Sequence, residues 1–435
     1  MKEYGVLFLF SLAMLACVAL GWSVLYALLL GYALFFLYGL YRGKGVGELL
    51  RLSGEGIWQV KGVLITYGLV GILTAVWRAC GTIPLIITWC VEVIAPSIFL
   101  LASFLLCGLI STLTGSAMGS VATMGVVCMT MGRAMGLSPV LLGGAILSGL
   151  RVGDRCSPVS SSALLVCEVT RTNIYHNIKN MLRTGVVPFL ASCGIYGLLD
   201  RLQHPQTVQF SPTETFRGRF TLTAAMILPA VILFALVLLR VNVRGAMLAS
   251  ICAGLWLACS RQGLSPSEAL DVMVFGFHPQ APELAALLGG GGLVSMGNVL
   301  AIVLISSTYT GIFRATGLLL GIQEGLTALS RRITPYGALL CTAVLTSIIT
   351  CGQSLAVILT CQLCSGLIPD RNRMASALED TAVVIPALIP WSVAAVVPLV
   401  AVGAPPTALL FACYPYLLPA WHFYSQRLVM TSESF

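Results

Sequence analysis

Long apolar runs alternate with short polar islands along this chain, and the runs have the length of membrane crossings. The first, residues 4–41, contains no charged side chain. It provides two spans of about 20 residues each, broken near Gly21-Trp22. It also far exceeds a signal-peptide core of roughly 7–15 residues, so it reads as retained membrane helix. Residues 42–61 then set Arg42, Lys44, Arg51 and Lys61 against Glu48 and Glu55, with Val46, Leu49, Leu50 and Leu52 between them. That mixture predicts an amphipathic helix lying at the interface on the cytoplasmic side. A short span follows at 62–77, and Arg78, Gly81 and Pro84 after it predict a broken helix.

Residues 93–132 carry no charge, but their middle, 111–120, is rich in Ser, Thr and Gly. Two readings fit: small residues that let helices pack closely, or the tip of a re-entrant hairpin whose unwound backbone binds a solute. After a span at 134–150, the most unusual stretch of the chain occupies 149–162. It packs Asp154, Arg151, Arg155, Pro158 and four Ser between apolar segments. Polar groups at such a place are expensive in a membrane and usually mark a transport site; an ordinary water-facing loop is the alternative reading. Residues 167–183 are polar and basic and predict a helical connection outside the membrane, with His176 solvated. Spans are expected at 185–199, 220–239 and 245–260, and the polar interval 200–219 reads as a linker. The glycines at 289–292 lack the GK[ST] that a phosphate loop needs. The last run, 381–426, reads as uncharged, and Pro386 and Pro390 predict another discontinuous helix.

Composition agrees with this pattern. Of 435 residues, 58% are hydrophobic and only 9% charged, with a mean hydropathy of +0.95. Soluble domains carry about one-quarter charged residues, so this chain cannot cover itself with a polar surface. The fold class expected is an all-α polytopic membrane protein with about 10–12 transmembrane helices, some of them broken. The net charge of +8 is spread over short loops. That distribution fits a multi-pass protein of the cell membrane whose partner is the lipid bilayer, and it offers no basic face for nucleic acid. The 15 Cys sit singly, apart from Cys361 and Cys364, and read as small packing residues rather than metal ligands. No nucleophile elbow, HExxH or cofactor motif is present, so neither an enzyme nor a bound cofactor is expected.

A weak repeat links the halves. Val76-Trp77-Arg78-Ala79-Cys80-Gly81 is echoed by Ile312-Phe313-Arg314-Ala315-Thr316-Gly317. Thr114-Gly115-Ser116 lies downstream of the first copy, Gly352-Gln353-Ser354 downstream of the second, and an acidic stretch follows each, at Asp154 and at Glu379-Asp380. Matched, Gly-interrupted apolar segments are the sequence sign of a transporter site built between repeats. The organisation expected is an N-terminal pair of spans (1–41), a first transport repeat (42–200), a polar linker with connecting spans (201–260) and a second repeat (261–435).

These residues resemble the NhaC-type sodium/proton antiporter family. Gly153-Asp154-Arg155-Cys156-Ser157-Pro158-Val159-Ser160 is similar to its GDK-x-SP-[LV]-S signature. Residues 114–120 are similar to its TGTSWGT stretch, and Leu378-Glu379-Asp380-Thr381 with Leu388-Ile389-Pro390-Trp391-Ser392 to its LEDSGT…PLIPWN stretch. The resemblance implies a secondary transporter with two inverted repeats and re-entrant hairpins, usually homodimeric, binding a cation near Asp154 and the two hairpin tips. Three departures stand out. Ser161 replaces an Asp of the family pattern, Leu164 replaces an Asn, and Arg151 is an added cation.

A hard cation such as Na⁺ takes oxygen ligands. Asp154, Ser157, Ser160, Thr114, Ser116 and the backbone at Gly115 and Gly352 are the candidates, with Gln353 and Ser354 from the second tip. Arg151 and Arg155 are expected to hold Asp154 ionised, which leaves Glu379 or Asp380 as proton carrier. Two functions follow. One is exchange of Na⁺ for H⁺. The other is cation-coupled transport of a small carboxylate or amino acid, whose carboxylate Arg151 or Arg155 would engage bidentately. A membrane scaffold is a third reading, and it leaves the buried polar stretches without a role.

Overall fold

In a computed structural model of the chain, the structure describes residues 3–20, 22–93, 96–115, 117–158, 160–203, 216, 220–239, 241–281, 284–285, 288–316, 330 and 332–432. Among these the elements are helical, apart from an isolated bridge between Phe277 and Gly290. Lipid offers no partner for peptide groups, so a chain this apolar has to satisfy its backbone within helices. Polar side chains cap their starts: Asn173 accepts from the Tyr175 N–H, Asp370 from the Arg373 N–H, and Ser265 forms a reciprocal capping box with Glu268.

Helices Glu3–Ala19 and Val24–Tyr41 pack on each other and on Gly297–Thr316, where Tyr309 sits between Phe10 and Phe35. Val46–Gln59 lies across Gly297–Thr316, with Leu49 buried and Val46, Leu50 and Trp58 exposed. The ion pair Lys44–Glu48 lies at its start and Arg51–Glu55 on its exposed side. Lys61–Ala79 and Thr82–Val93 are separated at Gly81, whose φ of +89° only glycine adopts without strain. Both copies of the six-residue echo therefore fall at the ends of long helices, although the side chains of Arg314 and Ala315, and all of Gly317, lie outside the described residues.

Two expectations are corrected. Residues 167–183 are not one helical connection. Ser161–Thr170 ends at Arg171, and the Asn173 cap restarts the chain as Ile174–Leu202, a single helix of 29 residues; His176 is exposed on its first turn. Asp200 does not open the polar linker either; it lies within Ile174–Leu202. It is buried, and its carboxylate accepts from the N–H groups of Leu100 and Leu101, free donors at the start of Phe99–Thr114. Most of the interval beyond it, 204–215 and 217–219, lies outside the described residues. Three described helices are long and apolar enough to cross a membrane: Val24–Tyr41, Ile174–Leu202 and Val294–Phe313. Others are shorter because breaks divide the apolar runs.

Among the described residues the most extensive helix–helix packing joins Phe99–Thr114 to Pro139–Cys156, which run parallel. A Cβ at Gly149 would lie 2.4 Å from the Phe104 carbonyl oxygen, so only glycine allows the backbones to approach this closely. Gly149→Ala is expected to cost about 1–3 kcal/mol and to lower the melting temperature of the detergent-solubilised protein. Gly194→Ala, on an open face with nothing within 4 Å of the added carbon, is expected to leave it unchanged.

Candidate functional site

Three breaks in the helical ladder meet at the centre. Phe99–Thr114 ends on Gly115 at φ +64°, and Pro335–Thr350 ends on Cys351 at φ +54°, a left-handed conformation unusual for a side-chain-bearing residue. The Cys351 carbonyl accepts from the Val393 N–H at 2.9 Å, which ties this tip to the start of Val393–Val402. The third break follows Pro139–Cys156, after which Ser160 caps Ser161–Thr170. A cavity of about 680 Å³ lies against all three. Ala117 and Met118 reach it from beyond the first break, residues 350–355 from the second, and Arg151, Asp154 and Ser161 from the third.

Asp154 is held from several directions. Arg151 donates to its Oδ2 from one helical turn back, at 2.8 Å, and Gln353 donates to the same oxygen at 2.8 Å. The Ser162 hydroxyl donates to its Oδ1 at 3.0 Å. Arg151 also donates to the Ala394 carbonyl at 2.7 Å, while its Nε has no hydrogen-bond partner among the described residues. Gln353 bridges onward to the Val383 carbonyl. The first half of the chain is thus stitched to the second through one carboxylate.

A second cluster adjoins it. Arg155 pairs with Asp380 Oδ1 and donates to Thr184 Oγ1 at 2.7 Å and to the Tyr414 hydroxyl at 3.2 Å. His422 Nδ1 donates to the other Asp380 oxygen, the His422 ring stacks on Tyr336 with centroids 4.3 Å apart, and Gln426 donates to Nε2 at 2.9 Å. Glu379, the preceding residue, is fully buried, and neither of its carboxylate oxygens has a hydrogen-bond partner among the described residues.

The sequence candidates divide accordingly. Asp154, Arg151, Gly352, Gln353 and Ser354 line the cavity. Gly115 is buried at its helix end; the Thr114 side chain and Ser116 lie outside the described residues. Ser157 and Ser160 are buried without lining the cavity, and the Ser160 hydroxyl donates to the Asp154 carbonyl. Asp380, Glu379 and Arg155 also stand off the cavity. The expectation that both arginines hold Asp154 is therefore corrected. Residues three apart on a helix face each other and adjacent ones do not, so Arg151 meets Asp154 while Arg155 turns away to Asp380. His422, Thr184, Tyr414 and Ser162 went unnoticed in the sequence. The usable signal was His422, a polar, titratable side chain inside an otherwise uncharged run of 46 residues, 381–426.

A profile of the Na⁺/H⁺ antiporter family matches residues 4–170 and 149–429. The chain is 26% identical over 386 residues to the malate-2H(+)/Na(+)-lactate antiporter of Bacillus subtilis (strain 168), covering 84% of this chain and 81% of that protein. It is likewise 26% identical over 369 residues to the Na(+)/H(+) antiporter NhaC of Alkalihalophilus pseudofirmus, covering 82% and 79%. Against the arginine/ornithine antiporter ArcD of Halobacterium salinarum, identity is 26% over 373 residues, covering 82% and 76%.

Removing one member of a buried ion pair strands the other. Arg155→Met is expected to lower stability by about 3–5 kcal/mol, and adding Asp380→Asn to recover a large part of that loss. A double-mutant cycle of melting temperatures measures it, and strictly additive losses would contradict the coupling.

Proposed function

The chain belongs to the Na⁺/H⁺ antiporter family, and from that premise we propose that it exchanges Na⁺ for H⁺ across the cell membrane by alternating access, with Asp154 at the cation site. At the coarser level it is a multi-pass membrane transporter of the Na⁺/H⁺ antiporter type that handles ions or small solutes, rather than an enzyme. The observation that carries the finer reading is the Asp154 carboxylate at the wall of a cavity where all three broken helices converge. Oxygen ligands for Na⁺ come from Asp154, from the backbone at Gly352 and from Ser354, with Gly115, Thr114 and Ser116 assigned to the other tip. Gln353 orients Asp154. An arriving cation competes with Arg151 for the same carboxylate oxygen, so occupancy loosens the Arg151–Asp154 pair and its tie to Ala394. The proton carrier is Glu379, whose oxygens are free to take and give a proton. Both Asp380 oxygens are already engaged, by Arg155 and His422, so Asp380 braces the site and is not the group whose proton is exchanged for the cation.

We assign Phe99–Thr114 and Pro335–Thr350 to re-entrant hairpins of two inverted repeats, 42–200 and 261–435. Helix Ile174–Leu202 supports this reading. Asn180, near its start, lines a cavity with Pro335, and Asp200, near its end, caps Phe99–Thr114. Those positions lie about 30 Å apart along the helix, the thickness of the bilayer core, so the hairpins enter from opposite faces. A homodimer in the lipid bilayer, with no nucleic-acid partner, completes the assignment.

A second reading rests on Arg151. Its Nε, unpartnered among the described residues, and a cavity far larger than a bare ion needs would suit a small carboxylate or amino acid. Arg155 is excluded from that role, because Asp380, Thr184 and Tyr414 occupy it away from the cavity.

Everted vesicles separate the readings. Na⁺ or Li⁺ is expected to dissipate a pH gradient, with the response of Asp154→Asn below about one-tenth of wild type, as for loss of an essential ionisable group. Arg151→Leu is expected to keep a cation-dependent pH response but to shift its Na⁺ dependence, since Asp154 then loses the competitor for its oxygen. Absence of any cation-dependent pH response, together with Na⁺-stimulated uptake of a carboxylate that Arg151→Leu abolishes, would establish the second reading instead.

A further inference from the structure

A second cavity, about 570 Å³, lies at the far end of Pro335–Thr350 from the Asp154 cavity. Tyr336 lines one and Thr350 the other, about 21 Å apart along the helix axis. Its outer wall is formed by Asp370, Asn372 and Arg373, all exposed, so water reaches it. At its inner wall stand His422 and Gln426. The two cavities share no lining residue.

We propose that this second cavity is a proton port distinct from the cation cavity, with His422 relaying protons between its water and Asp380. The inference rests on the exchange reading above. The bonding pattern makes His422 a neutral ring with its proton on Nδ1, donated to Asp380, and with Nε2 accepting from Gln426. A proton arriving from the cavity binds Nε2. The Nδ1 proton then passes to Asp380 Oδ2, leaving a neutral imidazole of the opposite tautomer and a neutral carboxyl beside Arg155. The reverse sequence restores the start, and no proton is gained or lost by the relay. Gln426 suits both states, since its amide donates to a bare Nε2 and, turned over, accepts from a protonated one.

The charged and titratable groups around His422 come from every element packed on it. Asp380 and Glu379 lie at the end of Arg371–Glu379, Arg155 reaches in from Pro139–Cys156, and Tyr336 stacks from Pro335–Thr350. Arg183 of Ile174–Leu202 and Asp370 and Arg373 line the cavity mouth. Protonating Asp380 cancels the charge that holds Arg155, which leaves that guanidinium to Thr184 and Tyr414. The port therefore acts on the same strut that joins the two halves of the chain.

The test uses the purified full chain in proteoliposomes containing a pH-sensitive dye, with a Na⁺ jump as the drive. His422→Gln keeps a hydrogen bond to Asp380 but carries no proton. It is expected to slow proton flux about tenfold or more and to flatten its pH profile, while Na⁺-dependent thermal stabilisation persists. External imidazole is expected to restore flux in His422→Ala. Gln426→Leu, which removes the partner of Nε2, is expected to shift the pH profile even if the His422 variants fail to fold. A wild-type rate and pH profile in His422→Gln, or in Gln426→Leu should the former not fold, overturns the port. If the wild type itself moves no protons on a Na⁺ jump, the exchange reading falls and the port with it.

Discussion

Charge buried where helices stop is the constraint on which the rest of this molecule depends. Arg151, Asp154, Arg155 and Asp380 are all nearly inaccessible, and each pairing is made across, or just before, an interruption in the helical ladder. A lone ion in that setting would cost several kcal/mol, so the pairs and their hydrogen bonds are what permit helices to end inside the fold. The same pairs join distant parts of the chain, Arg155 to Asp380 and Arg151 to the Ala394 carbonyl. Under the proposed exchange, stability and transport rest on one set of contacts.

The departures from the family pattern make sense in these terms. Ser161, standing in place of an acid, lines the cavity, and Arg151, the added cation, sits beside it and occupies Asp154 directly. Losing a carboxylate and gaining a guanidinium leaves Asp154 with an internal counter-ion, which in the proposed exchange the transported cation displaces. On that proposal, the competition would couple cation occupancy to the contacts of Val393–Val402, because Arg151 holds both.

Much of the fold was legible because its causes are local. The apolar runs, the break at Gly81 and the helix Val46–Gln59 with its one buried and one exposed side follow from residue type and spacing alone. The polar island at 149–162 and the second break at 351–352 announced themselves as groups out of place in lipid. What stayed hidden was pairing. Spacing put both arginines near Asp154, and only the turn of the helix sends Arg155 to a partner 225 residues away. Asp200 looked like the edge of a solvated linker because nothing in its neighbourhood reveals the free N–H groups of Leu100 and Leu101. His422 was overlooked for the opposite reason: its surroundings in sequence are apolar, and its partners Asp380 and Tyr336 come from elsewhere.

The central claim is that cation binding at Asp154 and proton release from Glu379 are two halves of one exchange. Proton release can be read directly by adding Na⁺ to the purified, weakly buffered protein and following a pH indicator, with thermal stabilisation recorded in parallel. The account requires Na⁺ to stabilise the wild type and to expel a proton from it, and requires Glu379→Gln to keep the stabilisation while losing the release. Undiminished proton release from Glu379→Gln would contradict it.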